Sequence, residues 1–456
     1  VLFLKYKYTN NIQNAYFCNI INLKIRHKFN NMNKPFLTKV ADKFIVFSLI
    51  FLCLAIFLPV FFKSLAITVF ILSLVFTYCS KTYSLKENFT FNYFNLTLVG
   101  LYLFYVVGMF WSTDMKYGLF DLQVKLPILI LPLLFLILPK RIMTKQTFWY
   151  CALVFIGAIL ISIICLYILG IIRTIANYSP LTDEITYTHL SPQITPSYMA
   201  LYALIALILA YKAPISNLFA LKSINEMIIK ASIYIFLAIF VVLLKSRSGF
   251  ISLLIVFVWI IADMFFVRKC RKQALTTLTA LIIAMIAIFN IPFIYERYSG
   301  AIATKTQQSS SAQTQINSMS ERTFIYSNAY KLILQKPFFG VGTGDTKQVL
   351  KSLYSKEDSN FDFYLNAHNQ FLQTTISLGV LGLIVLLCAF AMPLKRCIKQ
   401  KDYFVIAILC IIGIGFMFES MLERNIGVYP FAVIYSLITF YLVIDNQNYP
   451  TNSPKK

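Results

Sequence analysis

MSERTFIYSNAYKLILQKPFFGVGTGD, residues 319–345, followed after a polar loop by NAHNQFLQTTISLGVLG, residues 366–382, is the one long polar passage in a chain otherwise built of apolar runs. It carries Arg322, glycines at 340, 342 and 344, and His368 followed by Asn369. The residues before it read as lipid-spanning scaffold and those after it continue that scaffold. Any chemistry therefore belongs here and in one short upstream turn, Lys245-Ser246-Arg247-Ser248-Gly249.

Working outward, the composition fixes the class. Of 456 residues, 59% are hydrophobic and only 13% charged, more apolar than a soluble core needs. The chain reads as an all-α polytopic membrane protein. Runs long enough to cross a bilayer as helices, about 17–25 residues each, fall near 44–62, 65–79, 94–112, 122–138, 149–172, 197–211, 231–244, 250–267, 275–295, 371–393, 403–418 and 426–444. About 12 transmembrane helices are expected, with one large outer loop, 296–370, between the ninth and tenth. The runs beginning at Leu65, Ser197 and Ala231 are short and fit tilted or re-entrant segments. Residues 1–43 form a cytoplasmic tail, 44–295 and 371–444 the two blocks of membrane helices, and 445–456 a second cytoplasmic tail. Segment 1–31 has neither helical nor strand periodicity nor a signal-peptide pattern, and because the sequence opens on Val and Met32-Asn33-Lys34 lies just before the first apolar run, Met32 is expected to be the natural start. Nine cysteines form no CxxC pair and no disulfide framework.

Charge orients the runs. With the N-terminus inside, the cytoplasmic segments hold 26 of the 41 Lys and Arg; the short outer loops hold 7 and the long loop 8. Long loops have little say in topology, so the bias is strongly positive-inside. Acidic residues reverse it: 12 of 18 lie outside, and Asp263 is expected to be the lone acid within a span. The net charge of +23 is thus mostly a topology signature and gives no support to nucleic-acid binding.

This topology gathers 245–249, 296–370 and 419–425 on the outer side, together with 172–196 and 114–125. The long loop opens with TKTQQSSSAQTQINS, too polar to pack and expected to be a mobile connector. Ser320 then caps an expected helix whose Phe324, Ile325, Leu332, Ile333 and Leu334 suit docking on the membrane or its helices. Pro337 and the glycine run end it.

Each candidate residue has a plain reading beside a chemical one. Arg247 is either a snorkelling interfacial charge or, with Arg322 on the same side, half of a diphosphate clamp, since guanidinium forks match phosphate oxygens bidentately. His368 is either a structural histidine or a general base poised near working pH, with Asn369 orienting it or holding sugar. GVGTG follows a helix and a proline rather than a strand, so a nucleotide loop fails on context; close approach of backbone to backbone or ligand fits better. Glu419 and Glu423 read as an ion pair with Arg424 closing two helices. No metal-ligand set is visible.

Together these residues resemble the O-antigen ligase and O-antigen polymerase superfamily. The likeness rests on the outer SRSG turn, the spaced set Arg322, Ala329, Ile333, Pro337, Gly340, Gly342 and Gly344, and then His368, Asn369, Leu372, Gly379 and Gly382. The resemblance implies a glycosyltransferase, independent of metal and cofactor, on the periplasmic face of the bacterial inner membrane. It would move a glycan from an undecaprenyl-diphosphate-linked donor to the lipid A core or another glycan acceptor. It makes Arg247 and Arg322 the diphosphate ligands and His368 the residue that activates the acceptor, with Asn369, Lys245, Ser246, Gly342 and Gly344 expected to bind substrate. Relatives often open the span near Thr195 with a histidine; here the nearest is His189, to which no role is given. The ligase branch is favoured over the polymerase, and the rivals from other classes are a lipid-linked oligosaccharide transporter and a scaffold.

Overall fold

The computed structural model describes residues 34–178, 180–191, 194–220, 222–291, 318–357 and 366–447. The expected start at Met32, and the polar connector up to residue 317, lie outside these. Among the described residues the structure is helical, without a strand. The longer helices, numbered in chain order, are α1 Lys34–Leu54, α2 Val60–Cys79, α3 Tyr93–Val107, α4 Met115–Leu136, α5 Lys145–Asn177, α6 Pro196–Lys212, α7 Ser223–Leu243, α8 Arg247–Ala262, α9 Arg271–Phe289, α10 Ser318–Gln335, α11 Thr346–Glu357, α12 Gln370–Gln400, α13 Tyr403–Phe418 and α14 Asn425–Gln447.

Each of the twelve apolar runs overlaps one of these helices, but nine among the described residues are long and apolar enough to cross a membrane. Two more, α6 and α13, are shorter apolar helices. The reason for α6 is its position. Every residue from Tyr198 to Tyr211 is buried, and the helix packs against α5, α7, α8 and α13. A helix that is apolar all round belongs inside a bundle, and α6 meets protein, not lipid, along its length.

The structure corrects three expectations. α4 begins at Met115, well before residue 122, because the Asp114 side chain caps it by accepting from the Tyr117 N–H at 2.8 Å. Asp121 and Lys125, read as outer-loop residues, are therefore inside the helix and buried. Asp263 is then not the lone acid within a span. It sits at the far end of α8, held by Lys212 at 2.8 Å and Arg268 at 3.1 Å, an ion cluster that closes that end of the bundle. α10 begins at Ser318, so Ser320 lies within the helix instead of capping it.

The segment after α10 is threaded into a break in α12. Val341 and Gly342 donate to the Ile376 and Ser377 carbonyls at 2.8 and 3.0 Å, and Val380 donates to the Pro337 carbonyl at 2.8 Å. α12 opens to accept these bonds at Gly379, where φ is 69° and ψ is −169°. A Cβ there would collide with the Phe338 carbonyl, and one on Gly340 would lie 2.5 Å from the Ile376 carbonyl oxygen. The glycines serve an approach of backbone to backbone, which fixes the 319–345 passage against the helix that follows His368.

Candidate active site

The upstream turn is built by its caps. Lys245 takes a left-handed conformation at φ 48°, ending α7 and turning the chain into α8. The buried Ser246 side chain accepts from the Gly249 N–H at 3.2 Å and lies 3.1 Å from the Ser248 hydroxyl. Ser246, expected to bind substrate, is thus the N-cap of α8, and Arg247 is its first helical residue. Asn369 works in the same way, its side chain accepting from the Leu372 N–H at 3.1 Å to cap α12.

His368 immediately precedes that cap, in a left-handed conformation at φ 43°. Its N–H donates to the Asn366 side chain at 2.9 Å, and its carbonyl accepts from the Tyr326 hydroxyl at 3.3 Å. Its ring Nδ1 lies 3.5 Å from Glu419 Oε2. Glu419 ends α13 in an extended conformation, followed by a 3₁₀ turn over Met421–Glu423. The expected pairing of Glu419 and Glu423 with Arg424 one helical turn apart is therefore replaced. Glu419 faces His368, while Glu423 lies 3.1 Å from Lys125 of α4.

Arg322 reaches the same loop. Its Nη2 donates to the Phe418 carbonyl at 3.3 Å, and its guanidinium lies 5.5 Å from the centre of the Phe418 ring. One turn along α10, the Tyr326 hydroxyl bonds both the His368 and the Met417 carbonyls at 3.3 Å. Ser248 and Gly249 line a small cavity together with Phe418 and Glu419. Phe418–Glu419 is thus where the Arg247 turn, Arg322 and His368 converge. Sequence reasoning missed Glu419 as a partner of His368 and missed Tyr326. The one available signal for Tyr326 was its i+4 spacing from Arg322.

Gly342 and Gly344, also expected to bind substrate, pack against protein: a Cβ on Gly342 would lie 2.6 Å from the Ser112 hydroxyl, and one on Gly344 would meet the Asp114 carbonyl. The neighbouring Asp345 is the staple. It accepts from the Thr113 N–H and hydroxyl at 2.9 Å and from the Asp114 N–H at 2.8 Å. Burial alone would raise its pKa, but the backbone and hydroxyl donors outweigh burial and hold it below the usual carboxylate range. A depressed pKa means that the stabilisation is present above the unfolded-state value, roughly 3.9, and is lost as pH falls through the folded value. Asp345→Asn is expected to lower stability at pH 7 by about 1.5–3 kcal/mol, the usual worth of bonds to a charged group. On acidification below about 4, the gap between wild type and variant should close in thermal melts in detergent; a constant gap would refute the role of the charge.

Below the Arg247 turn lies an apolar groove between α7, α8 and α9, a cavity of about 400 Å³ lined by residues including Val242, Leu243, Phe250, Leu253, Leu281 and Met285. It begins within a turn of Arg247. The parts at this end of the bundle are thus an imidazole beside a carboxylate, the Arg322 guanidinium at Phe418, the Arg247 guanidinium at the start of α8, and an apolar trough. They suit proton removal, neutralisation of an anion, and a lipid tail.

Residues 232–387 match the O-antigen ligase family model. The resemblance to that superfamily is thereby shown, and the matched segment contains the Lys245 turn, Arg322, the threaded glycines and His368. Among curated proteins, the chain is 28% identical over 143 residues to a Rickettsia conorii protein described as a polysaccharide ligase, covering 28% of this chain and 34% of that one. It is 27% identical over 226 residues to the ComP-specific O-oligosaccharyltransferase of Acinetobacter baylyi, covering 48% of this chain and 37% of that one. The match thus spans about a third of each relative's length. Glu419 and the Lys125 contact lie beyond the segment that matches the O-antigen ligase family.

Proposed function

We propose that the protein transfers a glycan from undecaprenyl diphosphate to the lipid A core, on the periplasmic face of the bacterial inner membrane, with about twelve helices crossing it. The observation that carries the reading is the convergence of Arg322, His368 and the Arg247 turn on Phe418–Glu419, with an apolar groove able to hold a polyprenyl tail starting beside the Arg247 turn.

In this reading Glu419 favours the proton on Nδ1 of His368, leaving Nε2 to take the proton of the acceptor hydroxyl. The acceptor oxygen bonds to the anomeric carbon as the bond from that carbon to the diphosphate oxygen breaks. The electron pair leaves with the diphosphate, where Arg247 and Arg322 neutralise it. The result is direct transfer with inversion. Neutralisation by two guanidiniums gives the reaction a course that uses no metal, and no covalent glycosyl-enzyme forms.

A second reading changes the acceptor alone. A relative named as an O-oligosaccharyltransferase favours a protein acceptor, and a polymerase would use another lipid-linked repeat. Deletion in the native host, complemented by wild type, Arg247→Ala or Arg322→Ala, separates these. Loss of long chains from the lipid A core with accumulation of lipid-linked polymer, restored by wild type and by neither variant, is the expected result. Single repeats on the core would assign the polymerase. Unchanged lipid glycans with loss of a glycoprotein would assign the protein acceptor.

A further inference from the structure

Among the buried charges that the mechanism leaves unused, one set lies beside the loop that carries Glu419. Asp121 and Lys125 stand one turn apart on α4, with Lys125 Nζ 2.5 Å from Asp121 Oδ1 and 3.1 Å from Glu423 Oε1. The Lys125 side chain is fully buried and the two carboxylates nearly so, at 5% and 8% exposure. The ammonium also lies 4.7 Å from the centre of the Tyr105 ring. Burying three charges among membrane helices is costly, and such a triad adds less stability than an apolar packing of the same volume would. What it does fix is position, because a buried lysine with two carboxylate partners tolerates one geometry.

The element that it fixes carries Glu419. Glu423 belongs to the 3₁₀ turn four residues beyond Glu419, and the Leu422 N–H of that turn donates to Gln370 Oε1 at 2.7 Å. Gln370 is two residues from His368, and its amide donates to the Thr374 hydroxyl at 3.0 Å, which lies 3.3 Å from the Tyr105 hydroxyl. The loop is thus held from α4 through Lys125 and from α12 through Gln370. Both chains of contact meet again at Tyr105.

We infer that Lys125 is a positioning residue that acts through Glu423 to hold Glu419 against His368. The inference rests on the proposed role of His368. With that role, releasing Glu423 lets Glu419 drift from Nδ1, so the proton-transfer step slows while donor binding at the arginines is unchanged.

A double-mutant cycle in proteoliposomes, with purified lipid-linked donor and a lipid A core acceptor, tests this. Glu423→Gln keeps size but replaces the ion pair with Lys125 by a weaker neutral acceptor that loosens the turn, and Lys125→Met removes the anchor. Each is expected to lower kcat about tenfold or more with the donor KM within about twofold. In a His368→Ala background the same changes should have no further effect. An equal fold-loss in both backgrounds would mean a merely structural role and overturn the inference. A loss in KM with kcat intact would do the same. Should Lys125→Met fail to fold, Glu423→Gln alone completes the cycle. If His368→Ala transfers at the wild-type rate, the reading of the site fails and this inference with it; additive losses on top of a slowed but measurable His368→Ala sink the inference alone.

Discussion

His368→Ala is expected to lower glycan transfer by about 10²- to 10⁴-fold, the range lost with a positioned general base, while leaving donor binding nearly intact. The imidazole is presented by backbone: a left-handed residue at φ 43°, flanked by the Asn366 bond and the Asn369 cap, with its carbonyl held by Tyr326. Removing the ring leaves those bonds in place, so the variant should fold and insert normally. Glu419→Gln should cost less than His368→Ala, because it weakens the orientation of the base without removing it. The check is turnover with a lipid-linked donor at saturating acceptor. A fall smaller than about tenfold would place the base elsewhere.

Gly379→Val is expected to prevent assembly of the folded protein. The backbone there, φ 69° with ψ −169°, lies in a region essentially restricted to glycine, at a cost of about 1–3 kcal/mol for any other residue. The side chain would also meet the Phe338 carbonyl, so the 338–342 segment must leave its slot and give up its bonds to Ile376 and Ser377. Domains stable by about 5–15 kcal/mol do not absorb both losses easily. Yield and melting temperature in detergent should collapse, whereas Gly157→Ala, where a Cβ meets nothing within 4 Å, should behave as wild type. Normal melting of Gly379→Val would show that α12 can straighten without harm.

Much of the fold was legible because the signal for a membrane helix is strong and local: an apolar run has few alternatives in lipid, and all twelve runs fall on helices. The boundaries were less legible. Asp114 is recognisable as a cap only once the register is known, so the apolar run alone starts α4 too late and leaves Asp121 and Lys125 in water. The site divided in the same way. Arg247, Arg322 and His368 stood out as charged or titratable groups in apolar surroundings. Ser246, Asn369, Gly342 and Gly344 stood beside them but cap helices or pack on backbone, and adjacency in sequence does not separate those roles from ligand binding. Glu419 and Tyr326 became visible only when α10 and α13 were brought together, a matter of tertiary packing that no local pattern encodes.

The staple at Asp345 has a further consequence, for biogenesis. Thr343 supplies partners to the Tyr105 and Gly108 carbonyls, and Asp345 binds Thr113 across 232 residues of sequence. At about 5–20 residues per second, the ribosome delivers these late partners tens of seconds after the end of α3 has left the exit tunnel. Throughout that interval the nascent chain presents an unfinished corner to the insertion machinery, and that corner closes only when residues 343–345 arrive. That corner of the scaffold thus closes while His368, Glu419 and the last three membrane helices are still to be made.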